Sequence, residues 1–161
     1  MIESHLQLRN ALRSERDVIK KFVCEAHIDK SGYNDQAIQV QLEDNPSLCW
    51  VLTEKSFIDS VDGIVGCTGV RVDSNDSVNL VFLYVSSSHR GKGFGRQLLR
   101  TAISWSKCSY NIDDKNFQFM SLYTLKDIMT SAISLYCSEG FQIVEEKHVT
   151  CFCVLTMKLD L

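Results

Sequence analysis

Proline is almost missing from this chain: Pro46 stands alone among 161 residues, and only eight glycines accompany it. Chain punctuation is therefore sparse, and a place where glycines gather is informative. Long apolar runs are missing too. The longest, Leu80 to Val85, falls far short of the roughly 18–20 residues that cross a bilayer, so no membrane association is expected. The opening MIESHLQLRN has no apolar stretch of the secretory kind. A surplus of positive charge is absent as well: 17 Lys and Arg face 20 Asp and Glu, a formal charge of −3. Binding a phosphate backbone needs that surplus, so nucleic acid is not an expected partner. With 45% hydrophobic and 23% charged residues the composition excludes a disordered chain. The length fits one domain spanning 1–161.

Paired cysteines are also lacking. The seven (Cys24, Cys49, Cys67, Cys108, Cys137, Cys151, Cys153) are odd in number and scattered, with no CxxC pair and no Cys/His cluster of zinc-finger spacing. No metal site is expected. Cys151 and Cys153 sit in an apolar run, where they would face the same side of a strand. Thiols of this kind read as reduced, small hydrophobes. They fit a reducing compartment, cytoplasmic or nuclear.

What is present alternates between helical and extended periods. Ser14-Glu15-Arg16-Asp17 fits a capping box, and Val18, Ile19, Phe22, Val23 and Ala26 then recur at helical spacing. A weaker helix is expected over Asn34–Leu42. Leu48–Thr53 and Ile64–Val72 read as antiparallel strands, with turns at Asp59–Gly63 and Asp73–Asp76. Ser77–Val85 is apolar on both faces, as expected of a central strand covered on both sides. Leu98, Leu99, Ala102, Ile103 and Trp105 mark the next helix, and Phe117–Leu125 the next strand. Ile128, Met129, Ala132, Ile133, Leu135 and Tyr136 mark a further helix that stops at Gly140. Strands Phe141–Glu146 and Thr150–Leu159 complete the chain. The order gives an α+β fold with a mixed sheet, and a right-handed crossover joins two parallel strands around Ser77–Leu125.

The chemistry gathers where the central strand meets a helix. There the chain reads Val85-Ser-Ser-Ser-His89-Arg90-Gly91-Lys92-Gly93-Phe94-Gly95-Arg96. Glycines at alternate positions let the backbone approach a ligand closely. The amides of Gly91 to Arg96 lead into the first helical turn, where unpaired N–H groups and the helix dipole favour a diphosphate. Arg90, Lys92 and Arg96 add positive charge. A Walker loop would need Ser or Thr after Lys92, and the dinucleotide fingerprint is GxGxxG rather than GxGxG. A glycine-rich turn that binds nothing is the competing reading, and the three basic residues weigh against it.

Arg90-x-x-Gly93-x-Gly95 resembles the Gln/Arg-x-x-Gly-x-Gly/Ala signature of the GCN5-related N-acetyltransferases (GNAT). Leu83-Tyr84-Val85 is similar to the family's strand before that loop, and Gln97-Leu98-Leu99 to the helix after it. Ala132-Ile133-Ser134-Leu135-Tyr136 with Gly140-Phe141 resembles its A-x-x-L-Y…G-F helix and turn. The resemblance implies a mostly antiparallel twisted sheet of about six or seven strands, flanked by about four helices, with a splayed central parallel pair. It implies acetyl transfer from acetyl-CoA directly to a primary amine of a small molecule or peptide. The alternative is a CoA-binding module that has lost turnover and acts through a protein partner.

By the same resemblance, the main-chain N–H groups of Gly91, Lys92, Gly93, Phe94, Gly95 and Arg96 would hold the pyrophosphate, and Arg90 would brace the loop. Arg96 or Arg100 would approach the 3′-phosphate. Leu83 and Val85 would pair with pantetheine through their main chains. Tyr136 would protonate the departing thiolate. The place of the usual strand carboxylate is taken by Val81 and Phe82. Asn79, orienting a water, is therefore a candidate beside Glu54, Asp73, Asp76 and His148. Met129 stands where relatives often carry an asparagine, with Thr130 or Ser131 as replacements. His89 would touch the acceptor or water, and Tyr123 and Thr124 would line the acceptor cleft or cap a strand. The apolar pair of C-terminal strands offers an edge for a homodimer.

Overall fold

The computed structural model describes residues 5–31, 48–54, 63–108, 116–150 and 152–161, with the backbone alone over 24–31. The helix expected over Asn34–Leu42 and most of the turn Asp59–Gly63 lie outside them. Seven strands form one mixed sheet: β1 Leu6–Asn10, β2 Leu48–Glu54, β3 Ile64–Val72, β4 Ser77–Val85, β5 Phe119–Leu125, β6 Gln142–Val149 and β7 Phe152–Asp160. Their order is β1-β2-β3-β4-β5-β7-β6. Among the described residues there are three α-helices, α1 Arg16–Ser31, α2 Phe94–Cys108 and α3 Thr130–Ser138, against about four expected. No described helix is long and apolar enough to cross a membrane.

The chain falls into two compact units: residues 1–71 with 81–102, and residues 72–80 with 103–161. In the first, β1 pairs antiparallel with β2, and β2 with β3. Successive strand residues point to opposite faces, and the core follows that rule. Val51 packs with Ile19, Val23, Cys67 and Phe82 on the α1 side, where Phe22 and Tyr84 join them. Its neighbour Leu52 packs with Leu6, Val65, Phe94 and Leu98 on the α2 side, joined by Leu83 and Val85. The end of β4 is thus apolar on both faces because each face meets a helix. Gly69 lies under Phe82, and a Cβ there would come within 2.6 Å of the ring.

The start of α1 differs from the expected box. Glu15, rather than Asp17, closes it: its Oε2 accepts the Leu12 N–H at 2.7 Å after a short 3-10 turn over Arg13–Glu15. The same carboxylate accepts from both terminal nitrogens of the Arg9 guanidinium, Nη2 at 2.6 Å and Nη1 at 2.8 Å, in a pair almost hidden from water. Strand β1 carries only Leu6 and Leu8 on its apolar side, too little alternation to announce a strand.

In the second unit the start of β4 runs parallel to β5 over Ser77↔Phe119, Val78↔Met120 and Asn79↔Ser121. Strand β7 pairs antiparallel with β5 on one side and β6 on the other. The C-terminal strand is therefore interior, and β6 is the sheet's edge. Val78, Met120, Leu122, Leu155 and Met157 are buried completely or nearly so. Strand β6 extends through Lys147-His148-Val149, beyond the expected Glu146. Its eight residues are all exposed; main-chain pairing to β7, rather than burial, holds them in the sheet. A bulge between Ile143 and Glu145 shifts its register.

Candidate functional site

The glycine loop lies within the first unit, between the end of β4 and the start of α2. After Val85, the Ser86 N–H donates to Val65 O at 2.8 Å and a 3-10 turn covers Ser87–His89. Arg90 folds back over the strand it follows. Its Nε donates to Val85 O at 2.9 Å, its Nη2 to the Tyr84 hydroxyl at 3.0 Å, and its guanidinium carbon lies 5.4 Å from the Tyr84 ring centroid. Tyr84 is itself held edge-on by Phe22, with centroids 4.9 Å apart. Spacing did not single out Tyr84 as Arg90's partner, because the two meet only once the loop has turned.

Gly91 and Gly93 have φ of +75° and +85°, a region costing a residue with Cβ about 1–2 kcal/mol. Nothing lies within 4 Å of where either Cβ would be, so torsion rather than crowding calls for glycine. Gly95 is different: it is the second residue of α2 and keeps a negative φ. The helix starts sharply, with Gly93 O accepting the Gln97 N–H at 3.1 Å. Helix geometry leaves first-turn N–H groups, here those of Phe94 and Gly95, without an intrahelical acceptor. These donors, at the positive end of the helix dipole, suit an anion. Phe94 is buried and anchors the turn, while Arg90, Lys92 and Arg96 are exposed around it. His89 turns its Nδ1 to Ser86 Oγ at 2.8 Å and Ser88 Oγ at 3.0 Å.

The remaining candidates belong mostly to the second unit. Asn79 is buried at the parallel pair and donates its amide to Ser121 Oγ at 3.0 Å. Tyr136 is buried on α3, its ring 5.8 Å from that of Phe141, and burial pushes its hydroxyl up to about 12. Met129 is the N-cap of α3 and makes no side-chain cap bond, although its carbonyl accepts the Ile133 N–H at 2.9 Å. Tyr123 is exposed and Thr124 buried. Asp73 and Asp76 lie in an exposed turn, where Ser74 Oγ donates to Asp76. His148 is on β6, its Nε2 3.9 Å from Glu146. Glu54, at the end of β2 in the first unit, is half-buried.

Comparison with curated protein sequences gave no match. Among solved structures, the NatC complex bound to Gag peptide and CoA aligns with a TM-score of 0.73 at 17% identity, over 98% of this chain and 99% of that one. Arabidopsis thaliana NAA60 in complex with acetyl-CoA aligns at 0.70 and 16%, over 97% and 98%. The ribosomal-protein-S18-alanine N-acetyltransferase from Escherichia coli aligns at 0.69 and 16%, over 96% and 93%. These likenesses establish the fold. The model of the acetyltransferase (GNAT) domain matches residues 45–143, more than half of the chain and the whole of the glycine loop. With that match, the chain belongs to the GNAT acetyltransferase family.

Proposed function

We propose that the protein transfers the acetyl group of acetyl-CoA directly to a primary amine, and that the amine is the free N-terminus of a peptide or a small molecule of similar basicity. The observation that carries the reading is the loop after β4, with two glycines at positive φ leading into the sharp start of α2. The amides from Gly91 to Arg96 would take the pyrophosphate. Arg90, tied to Val85 O and Tyr84, fixes the loop where those amides face the ligand. One lone pair of Val85 O is already engaged by Arg90. The Val85 N–H and the main chain of Leu83 are the proposed partners of pantetheine and the thioester carbonyl. A preorganised donor at such a carbonyl lowers a barrier by about 3–4 kcal/mol.

The acceptor class follows from what the strand lacks. Val81 and Phe82 supply no carboxylate to remove a proton from the amine. An alkylamine of pKa about 10.4 costs about 5 kcal/mol to deprotonate at pH 7, an α-amine of about 7.8 only about 1 kcal/mol. A site without a strong base therefore suits the α-amine. Two of the structural neighbours have peptide connections in their names, a bound Gag peptide and ribosomal-protein-S18-alanine acetylation. Asn79 is the residue proposed to orient a water that carries the remaining proton away.

Tyr136 is proposed to stabilise the departing thiolate. With its hydroxyl at about 12 and a thiol near 8.5, full proton transfer would run uphill by about 5 kcal/mol. A hydrogen bond that strengthens as charge builds on sulfur is the better description. The reading is tested by following CoA release with acetyl-CoA and a panel of free-N-terminus peptides, lysine side-chain amines and polyamines. Turnover highest on α-amines is expected. Binding of acetyl-CoA without turnover on any amine would overturn the enzyme reading and leave a CoA-binding module.

A further inference from the structure

Outside the acetyl-transfer site, the β6–β7 hairpin brings together side chains of metal-binding type. The register pairs His148 directly with Cys153 and Glu146 with Leu155. Paired residues share a sheet face, and so do residues two apart on one strand. Glu146, His148 and Cys153 are thus placed on one face by the ladder itself. Their ligand atoms all lie within 4.8 Å of one another. Cys153 Sγ is 3.3 Å from Glu146 Oε1, and His148 Nε2 is 3.9 Å from the same oxygen.

We propose that Glu146, His148 and Cys153 form a zinc site on this hairpin. Zinc bonds of about 2.3 Å to sulfur and 2.0–2.1 Å to nitrogen or oxygen set ligand separations of about 3.3–3.5 Å in a tetrahedron. The sulfur–carboxylate separation already has that value. The imidazole, 79% exposed on its side chain, closes the remaining gap by side-chain rotation. One thiolate, one imidazole and one carboxylate form a mixed set that suits zinc better than magnesium or calcium, which prefer oxygen alone. Three protein ligands leave a fourth position for water.

Lys126 is the competitor. Its main-chain N–H bonds Cys153 O at 2.9 Å, and its Nζ reaches both Glu146 oxygens at 2.8 and 2.9 Å. It neutralises the carboxylate that the metal would use. Binding therefore exchanges one cation for another: the ammonium returns to water, the Cys153 thiol releases its proton to solvent, and the sulfur takes the metal. Thiolate, carboxylate and a divalent ion together are neutral. The site then clips the sheet's edge strand to its neighbour.

The test is titration of the full chain with cobalt(II) chloride in a phosphine reductant, followed by zinc chloride. A saturable thiolate-to-cobalt charge-transfer band with visible bands of tetrahedral cobalt, bleached by zinc, is expected. His148→Ala alters an exposed side chain that packing does not need, and should weaken affinity by more than about tenfold. Cys153→Ser should abolish the charge-transfer band. Lys126→Met, which removes the competing ion pair, should tighten binding about two- to fivefold. Absence of the band overturns the proposal. So does a band that survives Cys153→Ser, an affinity unmoved by His148→Ala, or one not tightened by Lys126→Met.

Discussion

At the scale of single residues, the two kinds of glycine in the loop make separable predictions. Gly93→Ala places a Cβ on a residue at φ +85°, so it should shift the loop and weaken acetyl-CoA binding by about tenfold, the equivalent of 1–2 kcal/mol. Gly95 already has helical torsions, and alanine suits a helix better by up to about 1 kcal/mol. Gly95→Ala should keep cofactor affinity and raise Tm by about 2–4 °C. Calorimetric titration beside thermal unfolding reads both, and normal affinity in Gly93→Ala would remove the loop from diphosphate binding. Tyr136→Phe preserves the ring against Phe141 and deletes only the hydroxyl. Turnover should fall about 10²-fold with acetyl-CoA affinity unchanged; an unaltered kcat would leave Tyr136 a packing residue.

At the scale of elements, helix starts decide the outcomes. Glu15 holds the start of α1 and the Arg9 guanidinium with one carboxylate, and the Arg9 bonds keep that carboxyl below its usual 4.5 despite burial. Its contribution is thus complete above the unfolded value and lost as pH falls through the lower folded one. Glu15→Gln should cost about 3–5 kcal/mol at pH 7. In urea unfolding, the gap to the wild type should narrow as pH falls below the usual carboxylate range; a gap independent of pH would mean the ion pair contributes nothing. Helix α3 presents the opposite case. Met129 stands at its N-cap without a side-chain acceptor bond. Met129→Asn can accept a first-turn N–H and should add about 1 kcal/mol, seen as a rise in Tm of a few degrees. No rise would mean that asparagine cannot take the capping rotamer there.

Across the whole molecule, what was legible in the sequence tracks how local each signal is. The glycine loop, the two-sided apolar strand before it and the helix Phe94–Cys108 were readable because each lies within a few consecutive residues. Strand β1 was not, since its pairing partners are 40 to 48 residues away (Asn10↔Trp50 to Leu6↔Glu54) and supply what its own pattern lacks. The Glu15 cap was misplaced by two residues because Arg9, whose pull on the carboxylate settles the matter, lies outside the box. The hairpin cluster was invisible to cysteine and histidine spacing: a strand register and one bulge, rather than a linear interval, bring Glu146, His148 and Cys153 together.

That bulge has a second effect, on what the rim of the sheet offers to other chains. An outermost strand with Ile143, Val144 and Val149 open to water would ordinarily be a template for stacking copies edge to edge. The extra residue at Val144 breaks the even ladder, and Glu145, Glu146 and Lys147 put charge along the stretch that remains regular. A chain shortened by that one valine would keep its pairing to β7 but acquire a straight, stickier border. The rim is thus guarded twice over, by one residue that has no partner across the ladder and by the run of charge that follows it.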